Sequence, residues 1–311
     1  MTAKLNAGRH ASRAVSQVVD LIGHTPLIRV RLWEQEFPEL EVWGKAEWFN
    51  PGGSIKDRPA LSIFNDALAT GKLEPDRILV DSTSGNTGVG YALVGAAMGR
   101  RVKLVMPDNV SIERRELILA YGAEIVYSSS LEGSDGAIRL CRELVDSDPD
   151  RYFFADQYNN QANPLAHYNG TGVEILEQTN GRVSHLIAGL GTSGTFMGTS
   201  KRLKEHNPQI RCIAIEPDDP FHGLEGLKHM ESSIVPGIWT AQSADEIWGA
   251  PTEPGYEFAR RLARSGVLVG HSSGAVLWAC DRLARSIKQG VVVLIFPDGG
   301  DRYLSSGLYR R

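Results

Sequence analysis

Residues 78–88 read Ile78-Leu79-Val80-Asp81-Ser82-Thr83-Ser84-Gly85-Asn86-Thr87-Gly88, and residues 89–98 continue with small and apolar side chains. A short apolar run passes into a cluster of hydroxyls, an amide and glycines, then into a stretch long enough for a helix. The pattern predicts a strand, a turn and a helix. Small polar residues at the carboxyl end of a strand and the start of a helix are where α/β proteins bind anions. Ser, Thr and Asn also cap helices when no ligand is present. Their density here favours a carboxylate or phosphate site over a bare cap.

The alternation extends along the chain. Apolar runs at 40–46, 78–81, 102–106, 124–127, 152–155, 183–188, 210–215 and 291–296 predict strands. Helical spacing predicts helices at 60–70, 86–98, 112–121, 135–145, 164–178, 194–206, 254–264 and 274–289. Strands and helices joined by short connections imply parallel sheets covered by helices, and the continuous apolar runs at 183–188 and 291–296 suit strands buried on both faces. A chain of 311 residues suggests two domains. The least regular stretch, 217–253, contains Pro217, Pro220, Pro236 and Pro251 and reads as a functional loop.

An apolar fraction of 42%, a charged fraction of 23% and a net charge of -4 describe a soluble globular protein with no call for a nucleic-acid or acidic-membrane partner. No apolar run reaches the roughly 18 residues of a membrane span. Met1 to Arg13 is polar and lacks the apolar stretch of a signal peptide, so the expected compartment is the cytoplasm. Cys141, Cys212 and Cys280 form neither a disulfide framework nor a zinc pattern and are expected as reduced thiols in or near the core.

Further segments carry chemistry. In Asn50-Pro51-Gly52-Gly53-Ser54-Ile55-Lys56-Asp57-Arg58 a turn delivers a lysine near a helix start. Lysine forms Schiff bases with aldehydes, and a helix N-terminus disfavours its cation. Alone, the segment reads as a surface lysine after a turn. Gly189-Leu190-Gly191-Thr192-Ser193-Gly194-Thr195 follows a buried strand and could cradle a phosphate with backbone N–H groups. It is no Walker loop. A dinucleotide-binding reading survives on this motif alone, with Glu216 near the spacing of the acidic partner. Gly270-His271-Ser272-Ser273-Gly274 matches the serine-hydrolase elbow, but no histidine follows Ser272 to complete the hydrolase order of serine, acid and histidine. Pro297-Asp298-Gly299-Gly300-Asp301-Arg302-Tyr303 is either a solvated turn with Asp301 and Arg302 paired, or the wall of a pocket.

In order, these segments resemble the cysteine synthase family, the O-acetylserine and O-phosphoserine sulfhydrylases of pyridoxal phosphate fold type II. The likeness runs from about Val18 to Leu304. It covers Ile22-Gly23-His24-Thr25-Pro26-Leu27, the intact lysine segment, the intact Thr83–Gly88 loop, Gly191–Thr195, the Ser272 segment with His271 in place of an apolar residue, and Pro297–Leu304 with Gly299 in place of serine. The resemblance implies two three-layer α/β domains with mostly parallel sheets, like the tryptophan synthase β chain. A smaller mobile domain would span 48–155, and a larger one would join 1–47 to 156–311. It implies pyridoxal 5'-phosphate on Lys56, with Asn86 at the ring oxygen, Gly191, Thr192, Ser193, Gly194 and Thr195 at the phosphate and Ser272 at the ring nitrogen. Thr83, Ser84, Gly85 and Thr87 would hold the substrate carboxylate.

The implied reaction is β-replacement on an activated serine by a sulfur nucleophile, giving L-cysteine through an aminoacrylate, in a homodimer. A cystathionine β-synthase-like reaction is the alternative within the fold. A serine hydrolase at Ser272 and a dinucleotide-binding module at Gly191 are the rivals from other classes. The stretch Phe221–Met230 departs from the family. There Lys228 and His229 are either readers of a substrate phosphate or solvated loop cations, and O-acetylserine and O-phosphoserine both remain open.

Overall fold

The computed structural model describes residues 15–83 and 85–310. In chain order the strands are β1 (Leu27–Arg29), β2 (Leu40–Ala46), β3 (Ile78–Ser82), β4 (Val102–Pro107), β5 (Glu124–Ser128), β6 (Tyr152–Phe154), β7 (His185–Gly189), β8 (Arg211–Pro217), β9 (Glu246–Ala250) and β10 (Gly290–Phe296). The helices are α1 (Asp57–Ala69), α2 (Asn86–Ala97), α3 (Ile112–Ala120), α4 (Gly133–Ser147), α5 (Ala162–Ala166), α6 (Gly172–Gln178), α7 (Gly194–His206), α8 (Thr252–Ala263) and α9 (His271–Ile287).

Two sheets result. The smaller has the order β5-β4-β3-β6 and is parallel throughout. The larger has the order β1-β2-β10-β7-β8-β9 and is parallel except for β1, which runs antiparallel to β2. Successive residues of a strand face opposite sides of its sheet. In β10, Val292 and Leu294 join the core under α8 and α9, while Val293 and Ile295 join the one under α6 and α7. In β3, Leu79 packs toward α1 and α2, while Ile78 and Val80 pack toward α4. Both sheets are therefore covered on both faces, as the continuous apolar runs predicted. Cys141, Cys212 and Cys280 are free and buried in these cores.

Two strands escape the sequence pattern. β1 has three residues, and β9, Glu246-Ile247-Trp248-Gly249-Ala250, places Glu246 and Trp248 on one side of the strand and lies at the sheet edge. The predicted helix 164–178 is broken into α5, a π-helical turn at His167–Thr171, and α6. Among the described residues, no helix is long and apolar enough to cross a membrane.

Close packing of backbone sets the site. A Cβ on Gly90 of α2 would stand 3.1 Å from the carbonyl oxygen of Lys56 and 3.2 Å from Ala60 Cβ. Glycine there lets α2 lie against the first turn of α1. Beneath that turn lies a buried ion network. Arg58 forms a fork on each of two carboxylates, Nε and Nη2 to Glu47 at 2.7 and 2.9 Å and Nη1 and Nη2 to Glu174 at 2.7 and 2.8 Å. Lys45 closes the network on Glu174 at 2.6 Å and on the Thr25 carbonyl at 2.6 Å. Burial pushes the Glu174 carboxyl up, but Arg58 and Lys45 outweigh it and hold the group well below the usual carboxylate range.

Candidate active site

One cavity gathers the motifs. Its wall includes Lys56, Thr83, Gly85, Asn86, Thr87, Gly191, Thr192, Ser193, Thr195, Ser272 and Lys228, with Gly194 beside the cup. They come from the carboxyl ends of β3 and β7, the N-termini of α1, α2, α7 and α9, and, for Lys228, the loop after β8. Ligand sites of α/β proteins form at such strand ends. Ser84 lies outside the described residues.

Lys56 is the N-cap of α1 and stands three residues after Gly53, which turns the chain at φ +76°. Burial pushes its ammonium below the ordinary lysine range, with Asp298 partly opposing. An amine whose cation is disfavoured is a better nucleophile and base. Asp57, next to it, accepts the Gly52 N–H at 2.5 Å, and burial raises its carboxyl to about 7.

The Thr83–Thr87 loop is both a cap and a wall. Thr83 Oγ1 accepts N–H bonds from Gly85 at 3.1 Å and Gly88 at 3.2 Å, which caps α2. Thr87 Oγ1 donates to Gln157 Oε1 at 2.9 Å. Asn86 donates through Nδ2 to Asp298 at 2.5 Å and accepts at Oδ1 from Arg302 at 2.7 Å.

At the β7–α7 junction, Ser193 takes the left-handed conformation at φ +72°. Its buried Oγ has no partner. A Cβ on Gly191 would stand 2.4 Å from the Gly226 oxygen, and one on Gly194 2.0 Å from Asn163 Oδ1. The result is a hollow of small residues at the N-terminus of a 13-residue helix, with an unused hydroxyl inside it. Such a hollow fits a phosphate, which needs N–H and O–H donors and little bulk. Thr195 Oγ1 lies 3.3 Å from Nε2 of buried His167, which starts the π-helical turn and whose Nδ1 lies 3.0 Å from Thr171 Oγ1.

Ser272 stands in the first turn of α9 and is buried at the cavity. His271 turns away from it. Its Nε2 lies 3.1 Å from Ser306 Oγ, and its ring lies 4.9 Å from Tyr256 and 4.4 Å from Tyr303. Burial lowers its pKa to about 4. The elbow at Ser272 thus has no general base in its neighbour. Glu216, in β8, accepts the backbone N–H of Met230 at 3.0 Å, so the acid that kept the dinucleotide reading open caps a loop instead.

Lys228 is no solvated loop cation. It is buried, pairs with Asp135 of α4 at 3.1 Å and lies over the Tyr158 ring at 5.3 Å. Arg302 is likewise not paired with Asp301; it reaches Asn86 and the Gly52 carbonyl. Three wall residues carried no local signal in the sequence, Gln157, Tyr158 and Arg114; Tyr303 joins them from the segment read as a possible pocket wall, and Glu225 from the stretch that departs from the family. Arg114 pairs with Glu225 and lies 5.2 Å over the Tyr303 ring. Its position in a helical repeat resembles that of any surface arginine.

Lys56, an asparagine, a phosphate-sized cup and a serine hydroxyl on one wall form a set that fits pyridoxal phosphate. The pyridoxal-phosphate dependent enzyme family matches residues 18–298. The chain is 51% identical to a cysteine synthase of Aquifex aeolicus over 304 residues, 96% of this chain and 93% of the relative. Its structure is similar to that of a cysteine synthase from Entamoeba histolytica, with a TM-score of 0.92 and 33% identity over 99% of this chain and 94% of the other. It is also similar to an O-ureido-L-serine synthase, with a TM-score of 0.89 and 36% identity over 96% of each chain. Fold, site and relatives agree, and the chain belongs to the cysteine synthase family of pyridoxal-phosphate-dependent enzymes of fold type II.

Proposed function

We propose that this enzyme makes L-cysteine by replacing the β-substituent of O-acetylserine with a sulfur nucleophile. The observation that carries the reading is the meeting of Lys56, Asn86, the Gly191–Thr195 cup and Ser272 in one cavity. When bound, pyridoxal phosphate supplies the electron sink that lets the β-substituent leave and a nucleophile take its place. Lys56 would hold the aldehyde carbon and move the proton of the substrate α-carbon, a task suited to an amine whose burial disfavours its cation. Gly191, Thr192, Ser193, Gly194 and Thr195 would bind the phosphate. Asn86 would donate to the ring oxygen. Ser272 would face the ring nitrogen, where a hydroxyl leaves the ring less electron-withdrawing than a carboxylate would. Thr83, Ser84, Gly85 and Thr87 would receive the substrate carboxylate.

Charge supports the acetyl substrate over the phosphorylated one. Besides Lys56, the cavity wall carries Arg114 and Lys228, and each already faces a carboxylate, Glu225 and Asp135. A phosphate dianion would have to displace one of those carboxylates, whereas a neutral acetyl group would not. Both ion pairs link the 217–253 stretch to helices of the smaller sheet. They support a division in which 48–155 moves against 1–47 and 156–311 and closes over the substrate. A homodimer in the cytoplasm is the assembly the family resemblance supports.

The experiment is a titration of the protein with pyridoxal phosphate followed by visible absorption, borohydride fixation and peptide mass mapping. Label on the Lys56 peptide is expected. A protein that stays colourless would overturn the reading, as would turnover by Lys56→Ala at the wild-type rate. With sulfide as acceptor, kcat/KM for O-acetylserine is expected to exceed that for O-phosphoserine by at least about 100-fold, near the low end of the cost of breaking a buried charge pair because Glu225 and Asp135 are partly exposed. Equal values would overturn the substrate assignment alone.

A further inference from the structure

Asn86 stands between two groups of opposite hydrogen-bonding character. Arg302 Nη1 donates to its Oδ1 at 2.7 Å, and its Nδ2 donates to Asp298 Oδ2 at 2.5 Å. A guanidinium has only donors and accepts nothing, so it selects the oxygen end of the amide. Asp298 Oδ2 also takes the Tyr303 hydroxyl at 2.6 Å, so it presents an acceptor and selects the nitrogen end. An amide held this way cannot exchange its ends. Nδ2 carries two N–H groups, and Asp298 uses one. The other is available on the cavity wall, where the ring oxygen of the cofactor requires a donor.

The same guanidinium reaches further. Its Nη2 donates to the carbonyl of Gly52, in the turn that delivers Lys56. A Cβ on Gly53, whose φ of +76° already disfavours a side chain, would stand 2.3 Å from Nη2 and displace the guanidinium. The Asp298 strand is fastened to the same turn by a bridge to Ser54 and by the Ile55 N–H to the Pro297 carbonyl at 2.8 Å.

We propose that Asp298 and Arg302 are positioning residues that fix the Asn86 amide with an N–H toward the cofactor ring oxygen, and that Arg302 locks this amide in register with the lysine turn. The proposal rests on the reading of the cavity as the pyridoxal phosphate site. It gives both side chains a role that acts through the Asn86 amide.

The test is a double-substitution cycle on the holoenzyme, read by the pH midpoint of the visible band of the bound cofactor. Asn86→Ala removes the donor and is expected to move the midpoint by about tenfold in proton concentration, the equivalent of one charge-assisted hydrogen bond. Arg302→Met frees the amide to turn and is expected to produce part of that shift. Added to Asn86→Ala, it should produce no further shift, because its effect passes through the amide. Asp298→Asn, which keeps the shape and presents either end of an amide, is the second variant; it also removes the charge that acts on Lys56, so part of its shift should remain without Asn86 and the part that passes through the amide should be lost. Circular dichroism and thermal melts establish that each variant is folded. Shifts from Arg302→Met and Asp298→Asn that persist undiminished without Asn86 would overturn the proposal, as would wild-type midpoints in both variants. A wild-type protein with no visible band would instead overturn the cofactor reading on which it rests.

Discussion

Replacing Glu174 by glutamine tests the physics beneath the lysine turn. Lys45, Arg58, Glu47 and Glu174 are all buried, and their formal charges cancel. Glu174→Gln leaves two cations facing one carboxylate in a low-dielectric interior. Removing one partner of a buried pair costs about 3–5 kcal/mol, most of it the penalty on the charge left behind. Unfolding entropy is about 2.1 cal/mol/K per residue, so a chain of 311 residues has roughly 0.65 kcal/mol/K. The expected fall in melting temperature is therefore about 5–8 °C, read by calorimetry at a fixed scan rate. Lys45→Met alone should cost a similar amount, since it leaves two carboxylates against one guanidinium. The double variant restores neutrality, and its loss should fall at least about 2 kcal/mol short of the sum of the single losses. A fall below about 2 °C for Glu174→Gln, with additive behaviour in the double variant, would refute the reasoning, because that is how exposed ion pairs behave.

Three other outcomes follow from the site and its surroundings. Gly194→Ala would push a methyl group against Asn163 Oδ1, and pyridoxal phosphate affinity should fall at least about tenfold in a visible titration while the fold persists. Asp81 is fully buried, and burial raises its carboxyl to about 7 against about 3.9 unfolded. The native state then holds a proton that the unfolded chain has lost between those values. The stability this contributes is complete below about pH 4 and is lost as pH rises through about 7. Asp81→Asn should flatten the decline of the urea midpoint between about pH 4 and 7, although Asp57, raised to the same range, will retain part of it. An unchanged slope would assign the titration elsewhere. A fluorophosphonate should leave Ser272 unlabelled, since His271 is stacked against Tyr256 and Tyr303 and directed at Ser306; stoichiometric labelling would revive the hydrolase elbow.

What the sequence makes legible here is local chemistry. The Thr83–Gly88 loop and the Gly191–Thr195 cup announce themselves because small residues at strand ends have few other uses, whereas the Gly52-Gly53 turn alone reads as a surface turn. The run at 291–296 is legible because strands buried on both faces admit little but apolar side chains. Gln157 and Arg114 are illegible because their roles depend on partners far away in the chain, Thr87 and Glu225. Lys228 was ambiguous for the same reason: nothing near it in sequence indicates Asp135. The π-helical turn at 167–171 was hidden inside a continuous helical period, since one extra residue per turn barely disturbs the apolar spacing. Resemblance to a family supplied the roles, and the structure supplied the connections among them.

The position of β10 has a consequence for how the molecule comes into being. It is the last strand in sequence, yet it lies between β2 and β7 in the larger sheet, so β2 cannot complete its parallel pairing until residues 290–296 arrive. Arg302 then closes contacts spanning 216 residues to Asn86 and 250 to Gly52. Pairings that join such distant parts of a chain form slowly, after the loop-closure entropy has been met. During synthesis the smaller sheet can assemble from contiguous sequence, while β2 waits with an unpaired edge for a partner more than two hundred residues away. Pocket completion is therefore a late event in folding, and a chain interrupted before β10 would display the lysine turn with nothing to bind it to.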